Sequence, residues 1–249
     1  MATEERVLLL GGTGRTGRRV MAQLLERGVP VRAVVRSRGG VPADLAGKAG
    51  LELVEASVLS LSDDELRRCV RDCTAVISCL GHVLTLKGVM GPPRDLVTRA
   101  VTRVCRAIEA ERPPWPVRLV LMTSVSVHQP GPVDARRGGL ERAFLWLLRA
   151  VLPPARDNQL AADFLREDVG ADHPWVQWAV VRPDSLLEGE ASGYHLHDGL
   201  VNGVFRPGRT TMSSLAHFLC ELATGSAAWE RWRGRMPVVV DSAPGTPPD

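Results

Sequence analysis

The stretch LLLGGTGRTGRR, residues 8–19, sets four glycines and two threonines between an apolar run and the pair Arg18 and Arg19. Arg6–Leu10 reads as a fully buried strand. Arg15–Gly28 places Val20, Leu24 and Leu25 at helical spacing, with Gly28 suited to end the helix. Two spacings overlay in the loop. Gly12, Gly14 and Gly17 fit G-x-G-x-x-G, and Gly11, Gly14 and Gly17 fit G-x-x-G-x-x-G. Either puts glycine at the strand exit, lets backbone N–H groups close on a phosphate, and aims a helix N-terminus at it. A plain turn without a ligand is the alternative. The strand before, the helix after and a second strand at Val31–Val35 supply the context that points to a pyrophosphate seat. Gly11, Thr13, Gly14, Arg15, Thr16 and Gly17 are its candidate residues.

The end of the second strand decides which dinucleotide fits. An NAD binder keeps a carboxylate there, about 20 residues past the glycines, for the ribose hydroxyls. This chain has Arg36, Ser37 and Arg38. A carboxylate repels a 2′-phosphate, whereas an arginine offers it a planar, charge-assisted clamp. Arg15 reaches toward the same group. The pattern predicts NADP(H) rather than NAD(H); a solvated strand end is the other reading of Arg36.

Further along, Leu51–Val58 reads as a third strand, and SDDELRRCV carries a helix start at Ser62 with Glu65 three residues on. Thr74–Leu80, Val117–Thr123 and Trp175–Arg182 come next as strands, with a long helix over Arg94–Glu111 and a break at PPWP, residues 113–116. Leu140–Val151 is an apolar helix that Pro153 and Pro154 are expected to stop. Asn158–Asp168 and Ser213–Thr224 are helices, and Pro237–Val240 is a short last strand. Strand and helix alternate over the first half, which means an α/β fold with a doubly wound parallel sheet. Residues 1–241 are expected as one dinucleotide-binding domain and 242–249 as a loose, disordered tail.

Composition narrows the function. Hydrophobic residues make up 45% of the 249, enough for a sizeable core. The net charge is +3 and the arginines are dispersed rather than striped, which argues against nucleic acid as a partner. Five cysteines, an odd number without framework spacing, predict reduced thiols, neither a disulfide scaffold nor a zinc site. MATEERV lacks an apolar signal core and no run is long enough to span a membrane, so a cytoplasmic protein without a membrane partner is expected.

LLLGGTGRTGRRV (8–20), VRAVVRS (31–37), AVISCLG (75–81), VLMTSVSV (120–127) and WAVVRPDSLLEGE (178–190) occur in the order and spacing of a known group. Over residues 6 to about 241 the chain resembles the atypical short-chain dehydrogenases/reductases, above all the NmrA-like and biliverdin reductase B types. The resemblance implies a Rossmann-type fold with a small C-terminal substrate-binding subdomain, residues 184–236 lying mainly on the substrate side as a lid. It implies that Cys79, Leu80, Gly81 and Thr123 line the cofactor, that Ser124 polarises substrate, and that Pro183 and Asp184 flank the nicotinamide end. The Tyr-x-x-x-Lys pair of ordinary members is missing. The single tyrosine is Tyr194, and the helix that should carry the pair reads ARDNQLAADFL, with Asn158 or Gln159 near the lysine's place.

Without that pair, a hydride transfer needs another group for the oxyanion and the proton. Ser124 is one candidate, unless it merely bonds backbone at the strand end. Ser126 and His128 lie just beyond it. His82, next to Gly81, is a second candidate and a plausible proton donor near neutrality, with a solvent-facing loop residue as its plainer reading. Lys87, His195 and His197 read as solvated loop or lid residues, and His217 as a satisfied, partly buried histidine. The helix with Phe144, Trp146, Leu147 and Leu148 is apolar nearly all round: core, dimer face or pocket wall. A pocket wall implies a small hydrophobic or aromatic substrate such as a quinone, flavin or polyketide. The expected function is an NADPH-dependent oxidoreductase, monomeric or homodimeric; the alternative is a non-catalytic NADP(H)-binding redox sensor.

Overall fold

The structure is a computed structural model of the chain, and it describes residues 5–82, 91–134, 138–203 and 207–242. Strand β1 is Arg6–Leu10, and its side chains alternate between two layers: Val7 and Leu9 enter one hydrophobic core, Leu8 and Leu10 the other. A strand buried on both faces belongs in the middle of a parallel sheet. The sheet is completed by β2 (Val31–Val35), β3 (Leu51–Glu55), β4 (Cys73–Ser78), β5 (Val117–Met122), β6 (Val176–Pro183), β8 (Tyr194–His197) and β10 (Val238–Asp241). Its order is β3-β2-β1-β4-β5-β6-β10-β8, parallel except for β8, which runs antiparallel to β10. A separate parallel pair joins β7 (Ser185–Leu187) to β9 (Arg209–Thr211). The chain order reverses between β1 and β4, and in open α/β sheets the ligand crevice lies at that reversal, outside the carboxyl ends of the strands.

Helices cover both faces. On one, α1 (Arg15–Glu26) packs Val20, Met21 and Leu24 into the core shared with Leu215, Phe218, Leu219 and Leu222 of α6 (Met212–Thr224). Trp229 and Trp232 of α7 (Ser226–Trp232) join them. On the other, α2 (Asp63–Val70), α3 (Leu96–Glu111) and α5 (Pro153–Asp163) pack together; α4 (Gly139–Val151) precedes α5. Burying an aliphatic side chain contributes about 1.5–3 kcal/mol. Three such residues on α1 outweigh the penalty, about 1 kcal/mol or less each, of arginines at the positive helix end. Packing therefore holds α1 in place and leaves its N-terminus for a ligand.

The structure corrects several boundaries. The third strand ends at Glu55 rather than Val58: its last ladder bond runs from the Ala56 amide to the Val35 carbonyl, where β2 ends. Pro153 and Pro154 do not only stop α4; they open α5, because a proline in the first turn lacks an N–H that would be unbonded anyway. That helix runs on as a π-helical turn, Phe164–Val169, ended by Gly170 at φ 71°. The short β7, β8, β9 and α7 were not expected. Within residues 184–236, α6 and α7 pack their apolar residues into the core beneath the sheet. Ser242 is tied by its amide to the Gly193 carbonyl at 2.8 Å. The rest of the expected tail, 243–249, and Lys87 lie outside the described residues. Among the described residues, no helix is long and apolar enough to cross a membrane.

Candidate functional site

The glycine loop is built by contacts that a side chain would prevent. Gly11 comes directly after β1 at φ +77°, and a Cβ there would lie 2.6 Å from the Cys79 carbonyl oxygen. A Cβ on Gly17 would lie 2.1 Å from the Gly11 carbonyl oxygen. Both values are far inside van der Waals contact, so the exits of β1 and β4 and the first turn of α1 meet only because these residues are glycines. The Gly14 amide donates to the Gly11 carbonyl at 3.0 Å, and Gly14 is the N-cap of α1 with no side chain to cap it. The first amides of a helix have no intrahelical acceptor. Here no acid stands in the first turn, where Arg15 and Arg18 do. Backbone donors without acceptors, a positive helix end and a cradle free of Cβ atoms fit a pyrophosphate.

Over the loop, at the carboxyl ends of β1 to β4, lies a cleft of about 900 Å³. Gly11, Thr13, Gly14, Arg15 and Thr16 form its floor. Val35, Arg36 and Ser57 close one end, and Cys79, Leu80, Gly81 and His82 one flank. Met122, Leu186 and Met212 add apolar surface. Arg15 and Arg36 are exposed, and neither guanidinium has a hydrogen bond or ion pair among the described residues. Arg38 differs: it donates to the Leu53 carbonyl at 3.1 Å and faces Glu55 at 3.5 Å. Two unpaired cations thus border a cleft whose floor is already electropositive.

Arg19 ties the loop to the segment after β6. It donates to the Arg15 carbonyl at 2.7 Å and to Ser213 Oγ at 3.3 Å, and pairs with Glu188. Ser213 Oγ in turn donates to the Gly189 carbonyl at 2.7 Å. The segment carrying Leu186 is held against α1 by this chain of bonds.

Other expected residues stand off the cleft wall. Gly17 lies behind it and serves the close packing of α1 on the loop. Thr123 is buried and donates to the Val181 carbonyl at 3.1 Å. Ser124 Oγ lies 2.6 Å from Ser126 Oγ and accepts from the Ser126 amide at 3.3 Å, the local turn that serine favours at a strand end. Pro183 ends β6, and its carbonyl accepts from the Val125 amide at 3.1 Å. Asp184 is buried and accepts from the Ser185 amide at 2.9 Å and from Asn202 Nδ2 at 3.1 Å. Their neighbours Met122 and Leu186 reach the cleft instead. Tyr194 lies on β8, its hydroxyl 2.9 Å from His217 Nδ1, and burial pushes its pKa up to about 12. Burial also raises the Cys79 thiol, so it is not a nucleophile at neutral pH. The α4 helix is not core all round: Trp146 is 70% exposed and Leu147 53%, whereas Leu145 is buried.

His82 is not the solvent-facing loop residue of its plainer reading. Its side chain is 4% exposed, and Nε2 lies 2.9 Å from Asp157 Oδ2. Asp157 escapes a sequence reading because nothing in its spacing marks it. Gln159, near the missing lysine's place, accepts from the His128 amide at 2.8 Å and donates to the His128 carbonyl at 3.0 Å. Another residue missed is Asp134, the buried partner of Arg182 at 2.6 Å. A charge inside the apolar run VVRP was the signal, since a buried charge requires a partner.

The profile of a family described as NAD(P)H-binding matches residues 11–225. A short-chain dehydrogenase/reductase (wide type) from Veillonella parvula, solved in complex with NADP, is similar with a TM-score of 0.69 at 12% identity, over 97% of this chain and 96% of that one. An oxidoreductase from Lactococcus lactis gives 0.68 at 17% identity, over 95% and 91%. ChuY, an anaerobilin reductase from Escherichia coli O157:H7, gives 0.66 at 20% identity, over 98% and 100%. No curated protein matches significantly in sequence. The expected Rossmann-type α/β fold stands, and the family match bears out an NAD(P)H-binding chain.

Proposed function

Because the chain belongs to the NAD(P)H-binding family over residues 11–225, we propose that it is an oxidoreductase that uses NADPH to reduce a bulky apolar or aromatic acceptor. The observation that carries the choice of NADPH is the pair Arg15 and Arg36, both on the cleft and both without a partner among the described residues. They would clamp a 2′-phosphate, and the amides at the start of α1 would hold the pyrophosphate. The bound reduced nicotinamide supplies a hydride. Leu80, Met122, Leu186 and Met212 give an apolar wall that excludes water and favours a flat, hydrophobic acceptor. The names of the reductase relatives agree with this class of reaction. Ser124 and His82 remain the proposed polar partners of the acceptor oxygen. Ser124, bonded to Ser126, needs a turn of its side chain to reach it; His82 already lines the cleft.

The test is oxidation of NADPH, followed at the nicotinamide absorbance, against quinones, flavins, aromatic ketones and anaerobilin. Turnover with at least one acceptor, faster with NADPH than with NADH, is expected. Tight NADPH binding with no oxidation across the panel contradicts the reductase and favours a redox sensor.

A further inference from the structure

The Asp157 side chain has no exposed surface, yet four donors converge on its carboxylate. Oδ2 accepts from the Val97 amide at 2.8 Å, and Oδ1 from the Thr98 amide at 2.9 Å and from Thr98 Oγ1 at 2.7 Å. These bonds cap the N-terminus of α3, whose own N-cap residue Asp95 makes no side-chain cap. The fourth partner is His82 Nε2 at 2.9 Å. With every other partner of the carboxylate an N–H or O–H donor, its oxygens act as acceptors toward His82 as well. The proton of this bond therefore sits on His82 Nε2. A neutral imidazole carries one proton, so Nδ1 is the nitrogen left for exchange. His82 lines the cleft, Asp157 lies behind it, and among the described residues a Cβ on Gly81 would meet nothing within 4 Å.

We propose that Asp157 is a positioning residue that fixes the tautomer of His82, so that His82 Nδ1 delivers the proton to the reduced acceptor; the proposal rests on the reductase reading. As hydride adds to the acceptor carbon, the acceptor oxygen takes the proton from Nδ1 of the imidazolium. The O–H bond forms as the N–H bond breaks, the ring returns to its neutral Nε2–H form, and water restores the proton. The ion pair with Asp157 holds the imidazolium in place before transfer.

The first readout needs no turnover. In the full chain labelled with ¹⁵N-histidine, long-range ¹H–¹⁵N correlation at alkaline pH is expected to show His82 as the Nε2–H tautomer. An Nδ1–H tautomer overturns the proposal. In Asp157→Asn an NH₂ in place of Oδ2 faces the Val97 amide as well as Nε2, and one in place of Oδ1 faces the Thr98 amide, so the bond that fixes the ring is weakened and His82 is expected to lose its single Nε2–H tautomer. With an acceptor that the wild type reduces, Asp157→Asn and His82→Gln are each expected to lower kcat by about 10²–10⁴-fold. The dissociation constant for NADPH should stay within about threefold, and the double variant should be no worse than either single one, as expected of residues acting as a unit. Unchanged kcat in His82→Gln overturns the proposal. If Asp157→Asn fails to fold, the wild-type tautomer and His82→Gln decide it. A wild type that binds NADPH and reduces nothing fails the reductase reading instead, and its His82 tautomer still tests the positioning.

Discussion

At position 17 the difference between glycine and alanine is one methyl group placed 2.1 Å from a backbone oxygen that cannot move aside. Gly17→Ala is expected to destabilise the chain by about 1–3 kcal/mol and to abolish cofactor binding, checked by thermal unfolding with and without NADPH. Position 36 acts through charge. Arg36→Ala is expected to weaken NADPH binding by about 1.5–3 kcal/mol, the worth of hydrogen bonds to a charged group. That is roughly 10- to 150-fold in dissociation constant, with NADH affinity unchanged. Both residues were legible in the sequence, because the glycine spacing and the missing carboxylate each carry a local meaning. Asp157 was not. Its partners His82, Val97 and Thr98 come from elsewhere in the chain, and only the fold brings them together.

Among the elements, α2 shows how far local signals reach. Ser62 accepts from the Glu65 amide at 3.2 Å and its own amide donates to the Glu65 carboxylate at 2.7 Å, the capping box that the sequence announces. Ser62→Ala is expected to cost about 1 kcal/mol, read as a lower denaturant midpoint with an unchanged slope. At its other end α2 is fastened to α3. Glu111 accepts from Arg71 and Arg67, each at 2.9 Å, and these bonds hold its carboxyl below the usual 4.5. A carboxyl with a lowered folded value adds stability above the unfolded value and loses it as pH falls through the folded one. The expected outcome is an acid limb below about pH 4.5 in a stability profile, shallower in Glu111→Gln. The first six sheet strands were readable because each is a long apolar run or alternation. The elements β7, β8 and β9 were not, being three or four residues each and mixed in polarity.

For the whole molecule, one buried ion pair ties distant parts together behind the cleft. Arg182 donates to Asp134 at 2.6 Å, to the Met236 carbonyl at 2.8 Å and to the Asp198 carbonyl at 3.2 Å. Asp134 also accepts from the amides of Gln129 at 2.7 Å and Leu200 at 3.2 Å. The loop after β5, the segment around β8 and the approach to β10 thus share one charge pair with no exposed surface. Arg182→Met leaves Asp134 charged and buried, and is expected to cost about 3–5 kcal/mol in denaturant unfolding. Arg182→Met combined with Asp134→Leu is expected to recover much of that, since two apolar residues leave no uncompensated charge. Under the proposed function, the electropositive floor and the two arginines without a partner among the described residues decide which dinucleotide the cleft takes. Calorimetric titration of the full chain with NADPH and with NADH, at one ionic strength, tests that most directly. NADPH is expected to bind at least about tenfold tighter than NADH. Equal affinities, or no binding of either, would contradict it.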